Sequence, residues 1–158
     1  MTAATPAKAV DRIRVQTDDF DLQAEYQTLR GIDAAAGAVV LFTGLVRDLN
    51  QGDAVRGLTL EHYPGMTEKV LADIVTEARQ RWRLLQVSIL HRVGALAPAD
   101  QIVLVGCASA HRGDAFAACE FIMDFLKTRA PFWKQERTAG GHRWVEARDT
   151  DRDAAKRW

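Results

Sequence analysis

Hydrophobic positions along the chain switch between a period of two and a period near 3.6, a pattern that predicts strands interleaved with helices. Residues 1–10 are rich in small residues and are expected to form a flexible N-terminus. DRIRVQ then alternates polar side chains with Ile13 and Val15, as a half-buried strand does. Asp18 and Asp19 offer N-cap oxygens, and Phe20, Leu22, Tyr26 and Leu29 recur at near-helical spacing before Gly31, which predicts a helix over 20–30. GAVVLFTGLV, from Gly37, is short and β-branched and reads as a buried strand closed by Arg47. RDLNQGDAVRG mixes charge with Asn50, Gly52, Asp53 and Gly57 and predicts an exposed loop, after which LTLEHY returns as a strand.

Pro64-Gly65 mark a turn before the clearest helix, in which Met66, Val70, Ile74, Ala78 and Trp82 step by four. LLQVSILHRVG alternates Leu85, Val87 and Ile89; with the apolar run QIVLVGCASA it predicts two strands separated by the turn ALAPAD. Gly113-Asp114 signal a second long helix carrying Phe116, Cys119, Glu120 and Met123 on one face, which Pro131 ends near Arg129 or Ala130. FWKQER and RWVEAR, around TAGGH, read as a hairpin, and DTDRDAAKRW is a charged tail compatible with a helix. No repeat or linker divides residues 11–158, so one α+β domain is expected, with a mainly antiparallel sheet and two principal helices.

Composition narrows the partners more than the fold. The 158 residues carry 21 Lys plus Arg against 21 Asp plus Glu, and 47% are hydrophobic, enough apolar content for a core and unlike disordered or disulfide-dense chains. Zero formal net charge gives no global field for nucleic acid or an anionic membrane, so any anion site is built locally. MTAATPAKAV lacks the apolar core of a signal, and no segment approaches the roughly 18 apolar residues of a membrane helix, which predicts a cytoplasmic protein. Cys107 and Cys119 lie in apolar runs and read as small buried hydrophobes.

The candidate chemistry is concentrated in SAHRGDAFAACEFIMDFLKTRAPFWKQER. His111 and Arg112 stand at a strand-to-helix junction, where unpaired helix N–H groups and two side-chain donors suit phosphate. Lys127 lies at the far end of that helix and Lys134 on the next strand, with Lys134 and Glu136 on one face and Trp133 and Gln135 on the other. Between 127 and 137, Lys127, Arg129, Lys134 and Arg137 oppose Glu136 alone, an excess suited to an anionic ligand. A lysine crowded by cations in a partly dry cleft loses basicity and becomes a base or nucleophile near neutral pH. Plainer readings compete: a locally packed His111, a solvated Arg112, solvated lysines with Lys134 paired to Glu136, and Phe42, Phe132 and Trp133 in the core. Arg47 and Arg56 flank the polar loop, where solvation is the default. His62, His91, His111 and His142 match no metal-ligand spacing, and GxGxxG, Walker and GxSxG motifs are absent from the sequence, so neither a metal nor another cofactor is expected.

GAVVLFTGLVRD, LTLEHYPGMTEKVLADIVTEAR, LHRVGALAPAD, SAHRGDAFAACEFIMDFLKTRAPFWKQE and RWVEA, in that order over roughly residues 37–158, resemble the family of molybdopterin synthase large, catalytic subunits. The resemblance implies an α/β-hammerhead-type fold and a sulfurtransferase of molybdenum cofactor biosynthesis. It also implies a homodimer within a heterotetramer, with a small ubiquitin-like subunit at each end whose Gly-Gly tail carries a C-terminal thiocarboxylate. Two sulfur transfers convert precursor Z, cyclic pyranopterin monophosphate, into the dithiolene of molybdopterin. Carried onto this sequence, the catalytic lysine of the LKTRAPFWK motif is Lys127, joined by Lys134. The substrate-binding positions fall on Arg47, His111, Arg112, Lys134, Gln135 and Glu136, and positions associated with the pocket on Phe42, Met123 and Arg148. Leu45 departs from relatives that carry Lys in the FTGxVR motif, which removes one cation from that loop. The residues taken alone also fit a lysine Schiff-base enzyme acting on a phosphorylated carbonyl compound, or a non-enzymatic anion- or RNA-binding module.

Overall fold

The computed structural model describes residues 11–31, 34–50, 52–145 and 148–158; the expectation of a flexible segment 1–10 lies outside the described residues. In chain order the elements are β1 (Arg12–Gln16), α1 (Leu22–Arg30), β2 (Ala38–Leu45), β3 (Leu49–Asn50), β4 (Asp53–His62), α2 (Met66–Arg81), β5 (Gln86–Arg92), β6 (Gly94–Leu96), β7 (Gln101–Ser109), α3 (Arg112–Arg129), β8 (Phe132–Thr138), β9 (Gly141–Val145) and α4 (Asp149–Ala155). One sheet runs β1-β5-β7-β2 and the other β3-β4-β8-β9, with β6 paired to β4. Among the described strands only β1 and β5 pair in parallel; the other pairings are antiparallel, as the mainly antiparallel α+β expectation requires.

The apolar runs of β5 and β7 follow from their coverage on both faces. On one face Val87, Ile89, Val105 and Cys107 pack against Leu71, Ile74, Val75 and Ala78 of α2 and Ala118, Phe121 and Ile122 of α3. On the other face Leu90 and Leu104 meet Phe20 and the half-buried Leu41. α1 crosses this second face at Gly106, where a Cβ would stand 2.3 Å from Leu29 Cδ1, so glycine makes the close approach of helix to sheet possible. The charged residues of β1 secure the same helix: Glu25 of α1 is buried against Arg12, 3.3 Å away, and Arg14.

Several sequence expectations shift. α1 starts at Leu22 rather than at residue 20, because the capping carboxylate is Asp21, which accepts from Gln23 N and Ala24 N; Asp19 accepts from Phe20 N and Gln101 Nε2. The stretch expected as an exposed loop contains β3 and the first part of β4. Its polar composition concealed a strand whose partners are remote in sequence, since β4 pairs with both β8 and β6. β6 likewise intrudes into the segment expected to be only a turn. In α3 the buried stripe is Ala115, Ala118, Cys119, Ile122 and Leu126, whereas Phe116 is 63% exposed: its position in the helix turns it away from the sheet. Met66 lies at the exposed start of α2, while the tail does form a helix, α4.

Candidate functional site

α3 stops because Pro131 follows. Ala130, the residue before it, is extended at φ −73° and ψ 133°, and the chain turns directly into β8. Lys127 therefore sits in the last turn of α3, where helix carbonyls favour a cation, and Lys134 returns beside it near the start of β8. Both line one cavity of about 310 Å³. Phe42 and Leu45 of β2 and Arg47 just beyond it form part of the wall, with Ile102 and Val103 of β7 and Met123 and Leu126 of α3 as apolar lining. Alternation along β8 turns Phe132, Lys134 and Glu136 inward, and Arg148 and Asp151 close the cavity from the start of α4.

Four cations therefore face the cavity, Arg47, Lys127, Lys134 and Arg148, together with the carboxylates of Glu136 and Asp151. Buried Glu136 is held by Arg143, its register partner on β9, whose Nε and Nη2 donate to Oε2 at 3.1 and 3.0 Å. The local positive excess read between residues 127 and 137 is thus redistributed in space. Arg129 pairs with Glu77 of α2 at 2.6 Å, and the Arg137 guanidinium lies over Gly57 of β4. Arg47 and Arg148, distant in sequence, take their places in the cavity.

Burial lowers the Lys134 ammonium to about 8, helped by the charge and close amine of Lys127 and by Arg148, while Asp151 opposes the shift. The crowded lysine of lowered basicity expected from the sequence is therefore Lys134. Leu45, 52% exposed, puts an apolar side chain in the cavity lining beside Arg47.

Of the residues singled out in the sequence, Phe42, Arg47, Met123, Lys127, Lys134, Glu136 and Arg148 meet in this cavity. Gln135 does not line it: it points to the opposite face of β8, in register with Thr59 and Trp144. His111 and Arg112 are exposed at the N-terminal end of α3, and the rise of the helix puts them about 22 Å from Lys127. The His111 side chain makes no capping bond. Trp133 is 47% exposed and Phe42 41%, so neither takes the core position that aromatics in strands commonly occupy. Cys107 and Cys119 are both buried and neither lines the cavity; the hydrogen bond that the Cys107 thiol donates to Cys119 and its burial push the Cys107 thiol up.

His91, like Asp151, is a polar lining residue that the sequence reading did not assign to the site. It is buried on β5, its Nδ1 lies 2.8 Å from the Arg92 carbonyl oxygen, and its ring stacks on Phe132 with centroids 3.8 Å apart. The signal was present in LLQVSILHRVG, where His91 continues the alternation of Val87 and Ile89. Among the described residues no group of three or more His, Cys, Asp or Glu side chains is arranged to hold a metal ion, and no helix is long and apolar enough to cross a membrane.

A family model described as MoaE protein matches residues 15–129, most of the chain. The chain belongs to the MoaE family. It is 62% identical over 146 residues to the molybdopterin synthase catalytic subunit of Ralstonia nicotianae, covering 92% of this chain and 83% of that protein. The molybdopterin biosynthesis MoaE protein from Burkholderia ambifaria superposes with a TM-score of 0.81 at 56% identity, covering 94% of this chain and 98% of that one. Molybdopterin synthase from Staphylococcus aureus gives a TM-score of 0.77 at 34% identity, covering 84% and 95%. Its MoaE membership makes this chain an enzyme of the sulfur-transferring class in molybdenum cofactor biosynthesis, and the Schiff-base and RNA-binding readings are set aside.

Proposed function

We propose that the cavity between α3 and β8 is where two successive sulfur atoms, each from the thiocarboxylated Gly-Gly tail of a small ubiquitin-like subunit, pass to precursor Z and yield the dithiolene of molybdopterin. The observation that carries the reading is the meeting of Lys127 and Lys134 with Arg47 and Arg148 in one cavity, in a chain with no net charge to spare. The cyclic phosphate needs charged, directional donors, which Arg47 and Arg148 supply. Lys127 assists proton transfer as the sulfur adds to the pterin side chain. Lys134, whose ammonium is lowered to about 8, exchanges a proton readily around neutral pH and stabilises negative charge on the carboxylate that departs when water cleaves the acyl carbon–sulfur bond and leaves the sulfur on the substrate. A Gly-Gly tail has no side chains to clash with the cavity mouth, so its backbone can approach closely. The setting is cytoplasmic, in keeping with two free cysteines.

Mass spectrometry of product from the purified chain, a thiocarboxylated partner and precursor Z tests the reaction. Molybdopterin is expected only when all three are present; product without the partner overturns the scheme.

His111 and Arg112 are too far along α3 to serve their own chain's cavity, so their substrate-binding role requires a second copy of the chain in a homodimer. Mixing inactive Lys127→Ala and Arg112→Ala chains tests this. In randomly exchanged dimers about a quarter of the sites are intact, and activity recovers to about that fraction of wild type. No recovery above the separate variants removes the second-copy role.

A further inference from the structure

We propose that His91 binds the substrate heterocycle, its Nε2 accepting a hydrogen bond from a ring or exocyclic N–H of the pterin. The inference rests on the reading of the cavity as the pterin site and adds to it a residue outside the cationic set. The Arg92 carbonyl can only accept, so the 2.8 Å contact at Nδ1 fixes the tautomer: Nδ1 carries the proton and Nε2 keeps its lone pair. Stacking on Phe132 fixes the ring plane, and burial on β5 fixes its position in the lining. Among the described residues no donor is bonded to Nε2, although both lysines face the same cavity.

The ring also stays neutral. Burial drives His91 down to about 4, and Lys127 on α3, Lys134 on β8 and His62 on β4 add to the effect against the opposing Arg92 carbonyl. Charged donors recognise phosphate but repel or ignore N–H groups. A fixed neutral acceptor recognises the heterocycle itself and adds no charge to an already cationic cavity. Leaving a substrate N–H unpaired in a buried site is expensive, so this contact discriminates a pterin from another phosphorylated compound.

The test compares His91→Asn with His91→Gln in the reconstituted enzyme. Asparagine retains a donor near the Nδ1 position and loses the Nε2 acceptor, whereas the glutamine carbonyl reaches the Nε2 position. His91→Asn is expected to raise KM for precursor Z about tenfold with little change in kcat or in KM for the thiocarboxylated partner, and His91→Gln to restore KM toward wild type. In the wild-type chain, nitrogen NMR of isotopically labelled histidine should show the Nε2 resonance of His91 shifting on addition of precursor Z. An unchanged KM in His91→Asn, equal losses in both variants, a rise confined to the partner's KM, or an unmoved Nε2 resonance each overturns the assignment. Failure of the wild-type chain to make product at all overturns the cavity reading and this inference with it, a result distinct from a wild type that works and a variant that matches it.

Discussion

Replacing Lys127 with alanine is expected to lower turnover by about 10²–10⁴-fold, the usual range for losing a positioned proton-transfer group. Binding of the thiocarboxylated partner should change little. The same substitution reports on its neighbour: Lys127 contributes both charge and a close amine to the depressed basicity of Lys134, so its removal raises Lys134 from about 8 toward the ordinary 10.5. Burial is the largest cause and persists, so the return is incomplete. The sign is fixed by the physics: removing a nearby positive charge favours the ammonium form. NMR titration of labelled lysine in wild type and variant measures the shift, and single-turnover sulfur transfer measures the chemistry. Near-normal sulfur transfer would refute the role of Lys127. Loss of activity with an unmoved Lys134 titration would show that the two amines act separately.

What made this pair legible was local chemistry joined to local geometry. A helix stopped by Pro131 and followed by an alternating strand juxtaposes Lys127 and Lys134 whatever the rest of the chain does. The rest of the charge was not local. Arg129 and Arg137 looked equivalent to the lysines along the sequence, yet Glu77 and Gly57, both far away in the chain, determine where they lie. Conversely Arg47 and Arg148 reach the cavity only because β2 and α4 fold against α3, which residue spacing does not express and family resemblance does. The start of β4 was misread for the same reason: from Val55 and Gly57 onward its partners lie on remote β8, while β3 makes only a short local ladder with Asp53 and Ala54, so polar local composition argued for a loop. His91 is the intermediate case. Its phase with Val87 and Ile89 announced burial, but its stacking on Phe132 and its place beside two lysines depend on tertiary contacts.

The second large effect is on stability, at Phe121. This residue is 1% exposed in α3, and its ring meets three others edge-on: Trp82 after α2 at 5.3 Å, Phe125 at 4.7 Å and Trp158 beyond α4 at 5.7 Å. The Arg81 guanidinium lies 4.9 Å from its centroid. Phe121→Ala therefore removes the ring on which α2, α3 and the C-terminal segment converge and is expected to cost about 3–5 kcal/mol, a large part of the stability of a domain this size. The urea midpoint should fall accordingly with the slope nearly unchanged. Phe116→Ala, on the same helix but 63% exposed, is the control and should stay within about 0.5 kcal/mol of wild type. The polar bonds at the C-terminus do not replace the lost packing. Trp158 Nε1 donates to Asp124 at 2.6 Å and Arg157 bonds both Glu120 and Asp124, but Arg157 and Glu120 are half exposed and gain little from an ion pair in water. Because α4 also supplies Asp151 to the cavity and follows directly on Arg148, loosening this aromatic cluster should raise KM for precursor Z at temperatures where the variant is still folded. A Phe121→Ala chain that loses less than about 1 kcal/mol would mean that the C-terminal helix is held by its ion pairs after all.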